Sequence, residues 1–241
     1  MDQVRPEQIR LATQAGDAID VRLKINARAK RINLKIDPVL GVVLTLPDWA
    51  RLTDGVAFAQ DRIGWIEPRL AKAPKAVALD VGDRFPFRGV VTEIDHQPTG
   101  RGAILDPGPP QRLILRGGRP DRAQSRVIAF CKAAAKADLS GLAQKHAERL
   151  DVSLSAISVR DTRSRWGSCT VDGRLSFSWR LILAPDFVRD YVAAHEVAHR
   201  LEMNHSRTFW AHVERLVGDY RPAQAWLKRH GGGLHVIGRS P

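Results

Sequence analysis

Three histidines and two glutamates lie close together in AAHEVAHRLEMNHSRTFW, residues 193–210 of a chain that has 8 histidines in all. In a helix, residues four apart lie on one face, so His195 and His199 can direct two imidazole nitrogens at one metal ion. Glu196 is rotated by about 100° from His195, which places it beside that ion. This H-E-x-x-H spacing is typical of zinc hydrolases in which the glutamate is the general base for a metal-bound water.

The residues around this motif indicate a largely buried helix. Apolar side chains precede and follow the histidine pair, among them Val192, Ala194 and Val197. A glutamate buried there only for packing would be costly unless it were paired or near a cation. We therefore predict a zinc site with His195 and His199 as ligands.

The residues leave two candidates for the third ligand. Glu214 would resemble the enzymes that take a carboxylate from a later helix. His205 lies six residues after His199, which is the metzincin spacing. Glu202 would lie about 10 Å along the helix axis from His195, so it is better placed to support the ligands than to bind the metal.

His205 can reach the metal only if the helix ends before it. On an unbroken helix it would lie roughly 15 Å from His195. Asn204 tolerates the left-handed conformation that ends helices, and we expect it to provide this stop. Ser206 then has the position of an N-cap for a following helix.

The elements that must position these residues divide the chain near Pro120. Before it, VRLKIN, RINLKID and VVLTLP alternate with a period of two and predict a small antiparallel sheet. A helix is expected at about residues 53–73, and residues 82–120 are rich in glycine and proline.

After Pro120, apolar residues at three- and four-residue steps predict an amphipathic helix over residues 121–150, with Cys131 and His146 on its packed face. SAISVRD and RLSFSWRLIL have strand patterns, and the second of them is our candidate to pair with an extended substrate. Pro185 and Asp186 mark the start of the helix that carries the histidine pair.

The composition limits the class of protein. No apolar run approaches the roughly 18 residues that span a bilayer, and we expect no secretory signal at the N-terminus. The two cysteines cannot build a disulfide framework, which favours a cytoplasmic protein. The net charge of +12 makes nucleic acid a possible partner, although the basic residues are scattered over the chain.

The segment RWGSC, residues 165–169, has two interpretations. In the first, Trp166 is a packing anchor and Gly167 provides backbone freedom. In the second, Cys169 is the nucleophile of a thiol hydrolase, but this interpretation leaves H-E-x-x-H unexplained. Tyr191, Tyr220 and Arg165 are further candidates for substrate or oxyanion contacts.

The segment RWGSCTVDGRLSFSWRLILAPDFVRDYVAAHEVAHRLEMNHSRTFW resembles the YgjP-like metal-dependent hydrolases, within the zincin-like metallopeptidases. The N-terminal half is similar more loosely, through its strand pattern and GWIEPRL. The resemblance implies zinc, an active-site helix packed on a small sheet, and a backing helix. It also implies that His205, the histidine of NHSxxFW, is the third ligand, and that the motif layout is related to SprT-like proteases.

We therefore predict an α+β protein with an N-terminal antiparallel β-rich region, residues 1–120, and a C-terminal zincin-like metallopeptidase domain, residues 121–241. It would hydrolyse peptide bonds of a peptide or protein substrate, with Glu196 as the catalytic base. The alternative is a basic nucleic-acid-associated protein in which the zinc site is structural or the peptidase is recruited. A closed structural zinc site has no use for the base Glu196, which argues against that alternative.

Overall fold

The computed structural model describes residues 6–13, 15–37, 40–162 and 165–239. The chain forms two compact units, of which the N-terminal unit is Met1–Ala76 with Arg239–Pro241 and the C-terminal unit is Val77–Gly238. The expected junction near Pro120 lies inside the C-terminal unit. The reason is packing, because strand residues such as Phe85 and Leu113 share one hydrophobic core with Val127 of the following helix.

The N-terminal unit contains a four-stranded sheet and two helices. Its elements are β1 (Gln8–Ala12), β2 (Ala18–Ile25), β3 (Asn33–Asp37), β4 (Gly41–Leu46), α1 (Leu52–Gln60) and α2 (Ile63–Ala71). The strand order is β1-β2-β4-β3, and Leu44 packs inside the sheet with Ile66 of α2. Two short helices therefore replace the single helix expected over residues 53–73.

This sheet is mixed, so the prediction of a purely antiparallel sheet is wrong in one pairing. β1 and β2 are antiparallel, and so are β3 and β4, but β2 and β4 are parallel. The connection of residues 26–32 carries the chain past one strand position to the outer edge. β4 then returns between β3 and β2, which makes it run in the direction of β2.

The C-terminal unit begins with a second sheet of the same topology. Its strands are β5 (Arg84–Phe87), β6 (Val90–Gln97), β7 (Ala103–Asp106) and β8 (Gln111–Arg116), in the order β5-β6-β8-β7. The central pair is again parallel and the outer pairs are antiparallel. Buried side chains of this sheet pack in the same hydrophobic core as those of α3.

The remaining elements surround the histidine pair. They are α3 (Ala123–Leu150), β9 (Ala156–Arg160), β10 (Gly167–Cys169), β11 (Arg174–Ser178), α4 (Asp186–Ala198), α5 (Arg207–Val217) and α6 (Arg221–Leu234). α3 confirms the amphipathic helix expected over residues 121–150, with Cys131 and His146 fully packed. α4 lies against both α3 and β10, so the α+β fold class is confirmed.

The segment RLSFSWRLIL is a strand only in its first half, which corrects the prediction of one long strand. Leu175 and Phe177 point into the core, and β11 ends at Ser178. Trp179–Leu183 is a 3₁₀ helix in which every residue is buried. Arg180 explains the change, because its buried guanidinium binds Asp161 and donates to the carbonyl of Ile237 at 3.1 Å.

Within the described ranges, no helix has both the length and the apolar character needed to cross a membrane.

Candidate metal centre

The helix that carries the histidine pair ends immediately after it. α4 stops at Ala198, and His199 is the C-cap in right-handed helical geometry. Asn204 has no positive φ, so the left-handed stop expected there is wrong. Instead, the Asn204 side-chain oxygen accepts a hydrogen bond from the Ser206 backbone N–H at 2.8 Å, which shapes the connection to α5.

Ser206 is the N-cap of α5, as its position predicts. Its hydroxyl oxygen accepts a hydrogen bond from the backbone N–H of Phe209 at 3.2 Å. The cap holds the start of α5 against the end of α4, and Phe209 is fully buried there. This turn brings His205 back beside His195.

The three histidines converge on one point. One ligand atom from each of His195, His199 and His205 lies within 4.8 Å of the others, and the Nε2 atoms of His195 and His205 are 3.2 Å apart. In the described part of the chain, no other group of three histidine, cysteine or acidic side chains is arranged in this way. Glu214, the alternative third ligand, is exposed on α5 and lies outside this group.

Hydrogen bonds orient two of the rings. His199 Nδ1 donates to the backbone carbonyl of Glu202 at 3.0 Å, which leaves Nε2 of His199 free to bind a metal. Glu202 thus supports a histidine through its backbone and not through its carboxylate. Tyr191 Oη lies 3.5 Å from His195 Nδ1 and accepts a hydrogen bond from Gln224 Nε2 at 3.1 Å. No local pattern points to Gln224, which lies on a different helix, α6.

The walls around the histidines are aromatic. The ring of Phe209 lies 4.5 Å from that of His199, and Trp210 stacks on Tyr220 at 4.7 Å. Burial and the neighbouring histidines His199 and His205 lower the pKa of His195 to about 3, and burial also lowers the pKa of His199. Both rings are therefore neutral at physiological pH, which is the form that binds metal ions.

Glu196 is buried against β10. Burial raises the pKa of this carboxyl to about 8, although the positive charge of Arg165 acts in the opposite direction. A Cβ atom on Gly167 would lie 2.4 Å from Glu196 Oε1, so only glycine lets the carboxyl pass so close to the strand. Gly167 has no positive φ, which means that close approach, and not the backbone freedom expected from the sequence, explains the glycine.

Trp166 and Cys169 of RWGSC do not have the environment of catalytic residues. Trp166 stacks on His235 with ring centroids 4.3 Å apart and packs against Gly231, so it is the anchor that the sequence predicts. Burial and the charge of Glu196 raise the pKa of the Cys169 thiol to about 11. Because only a thiolate is a strong nucleophile, this environment disfavours the thiol-hydrolase interpretation.

One of three comparisons with known proteins bears on this site. A family model described as "YgjP-like, metallopeptidase domain" matches residues 30–230. No curated protein sequence matches the chain significantly. A solved structure, the metallopeptidase zymogen of Pyrococcus abyssi abylysin, is 19% identical with a TM-score of 0.34, and the match covers 38% of this chain and 90% of that chain.

Proposed function

The chain belongs to the YgjP-like family of metallopeptidase domains, and on that premise we propose that it is a zinc-dependent peptidase. Membership of the family makes it a metal-dependent peptidase in general terms. The proposal adds zinc as the metal, His195, His199 and His205 as its ligands, and Glu196 as the general base. The observation that carries it is the convergence of three imidazole nitrogens, one of them from the residue directly before the buried Glu196.

The donor set suits zinc in its chemistry, and one of its nitrogen pairs also has the spacing of a zinc site. Zinc–nitrogen bonds of about 2.0 to 2.1 Å in a tetrahedral site put neighbouring nitrogens about 3.3 to 3.4 Å apart. The Nε2 atoms of His195 and His205 are 3.2 Å apart. A zinc ion held by His195, His199 and His205 would supply a Lewis acid, which lowers the pKa of water to about 7 and polarises a carbonyl.

Glu196 is the group of this chain that moves the proton. As a general base it accepts a proton from the attacking water, and it later donates that proton to the leaving amine. Burial alone favours its protonated form, with the pKa raised to about 8. A divalent cation at the histidines favours the ionised form that a base requires, so the buried carboxyl itself supports a bound metal.

The edge strand β10 is the proposed binding strand for an extended substrate. The segment RLSFSWRLIL cannot pair with a substrate as predicted, because its strand β11 is the central strand and both of its edges are paired. The backbone N–H of Ser178 donates to the carbonyl of Trp166, and Ser168 is paired with Ser176. In this register the backbone N–H and C=O groups of Trp166 and Ser168 point toward β11. The backbone groups of Gly167 and Cys169 therefore point to the other edge, and Glu196 lies against the face of the strand at Gly167.

Gly167→Ala is expected to lower peptide hydrolysis at least tenfold while leaving zinc binding intact. The added Cβ would lie 2.4 Å from Glu196 Oε1 and displace this carboxyl, whose long side chain can move. Peptidase activity and zinc content of the purified variant would test this. Gly141→Ala in α3 is the matched control, because a Cβ there meets nothing within 4 Å. Full activity in Gly167→Ala would show that the carboxyl does not need this position.

Tyr191→Phe is expected to weaken zinc binding by about tenfold. The variant keeps the ring and removes the hydroxyl that lies near His195 Nδ1, and loss of such a supporting group typically costs 10–100-fold in metal affinity, as an order of magnitude. Competition with a chromophoric chelator would measure the affinity. Tyr220→Phe is the control, because this ring also stacks on Tyr191. Equal affinities in the two variants would assign Tyr191 to packing alone.

The proposed function is tested by incubating a mixture of unstructured peptides with the zinc-loaded protein, the metal-free protein and the Glu196→Gln variant. New termini identified by mass spectrometry only with the zinc-loaded wild type would support it. Cleavage that is equal in all three samples would overturn it.

A further inference from the structure

The outer face of the sheet of β9, β10 and β11 forms a polar groove. Ser168 of β10 is opposite Ser176 of β11, which is opposite Ser158 of β9, so the three serines form a row across the sheet. They line a groove of about 480 Å³, which we call the serine–arginine groove. Ser158 donates to the carbonyl of Leu175 at 3.3 Å, and therefore Ser168 and Ser176 are the hydroxyls that can donate to a ligand.

The charged residues that line this groove are all positive. They are Arg160, Arg165 and Arg174, and within the described residues no aspartate or glutamate lines it. Arg174 Nε binds Asp172 at 2.6 Å, but both side chains are exposed and the terminal nitrogens of Arg174 are not part of that contact. Arg160 and Arg165 are exposed too. Guanidinium and hydroxyl donors around a groove without acids are suited to carboxylates.

The groove is continuous with the proposed substrate strand. Side chains of a β-strand alternate between the two faces, so Gly167 faces Glu196 whereas Ser168 faces the groove. A peptide paired with the free edge of β10 follows the same alternation. Every second side chain of that peptide would point to the groove side of the sheet. At the usual strand spacing the peptide backbone would lie about 10 Å from β11. Arg165, which lines the groove, precedes β10 by two residues.

We propose that the serine–arginine groove binds acidic side chains at alternate positions of the peptide substrate. The inference rests on the proposed function, because it places that substrate on β10. It assigns a substrate class, namely extended segments rich in glutamate or aspartate. The inference depends on the positive charge of the groove and on its position beside the free edge of β10.

The test uses two peptides that differ only in charge, one with glutamate at alternate positions and its twin with glutamine there. Anisotropy with the Glu196→Gln protein measures binding without turnover, and kcat/KM with the zinc-loaded wild type measures cleavage. We expect the acidic peptide to be favoured about tenfold in both, since each exposed charge pair contributes only severalfold. Raising the salt concentration should reduce this preference.

The variant for this test is Arg160→Gln combined with Arg174→Gln, which removes two of the three cations and leaves Arg165 near Glu196 in place. The preference for the acidic peptide should fall to about twofold. Arg84→Gln combined with Arg119→Gln also removes two charges, both outside the groove, and should keep the full preference. This control separates a local contact from the general effect of the net charge of +12.

The outcomes separate this inference from the proposed function. Equal binding and cleavage of the two peptides would overturn the inference and leave the peptidase intact. Preferential binding of the acidic peptide without any cleavage would support the groove and count against the peptidase. A single-stranded oligonucleotide that displaces the acidic peptide and binds more than tenfold tighter would identify the groove as a nucleic-acid site and overturn the inference.

Discussion

Glu196→Gln is expected to keep one zinc ion per chain and the native fold while lowering kcat by about 100-fold or more, the usual scale for a general base. Glutamine has nearly the shape of glutamate, so it fills the same buried space against Gly167. It cannot accept the proton from water. Burial penalises the ionised carboxyl, as the pKa of about 8 indicates, so the variant is not expected to unfold more easily than the wild type.

Three measurements on the same preparation would test this prediction: zinc content, the midpoint of thermal unfolding, and the rate of peptide cleavage. Glu214→Gln is the matched control, because this exposed glutamate on α5 lies outside the histidine group. The control should keep full activity. Turnover at the wild-type rate in Glu196→Gln would show that another group is the base.

Each of His195→Ala, His199→Ala and His205→Ala is expected to lower zinc affinity by more than about 100-fold, which exceeds the usual effect of losing a supporting group. The reason is that a three-ligand site becomes a two-ligand site. The zinc content, measured by elemental analysis after dialysis, should fall from about one zinc per chain to almost none. Peptide hydrolysis should disappear with the metal.

His230→Ala is the matched control for these variants, because His230 is exposed on α6, its ring contacts Trp226 at a tilt, and it is not one of the three converging histidines. Its zinc content should equal that of the wild type. Full zinc retention in His205→Ala combined with zinc loss in Glu214→Ala would contradict the ligand assignment and restore the alternative third ligand.

Several features follow from local sequence pattern alone. The spacing of His195 and His199 places both on one helical face, whatever the rest of the chain does. The apolar periodicity of α3 and the N-cap at Ser206 were predictable for the same reason, since caps and helix faces depend on residues only three or four positions apart. The α+β class also follows from these patterns.

Other features depend on contacts between residues far apart in the chain, and only the tertiary structure decides them. The parallel pairing of β2 with β4 and the unit boundary after Ala76 depend on which strands meet, and strand patterns do not encode this. The strand formed by RLSFSWRLIL ends at Ser178 because Arg180 binds Asp161 and the carbonyl of Ile237.

The candidate site shows the same division. H-E-x-x-H places Glu196 on its helix, but Gly167 lets the carboxyl lie against β10, and Gln224 reaches Tyr191 from another helix. These contacts join positions about 30 residues apart, as their numbering shows. A sequence determines the residue types that can do the chemistry, because their spacing is local. Packing decides how close they come, because burial and close approach are properties of the assembled core.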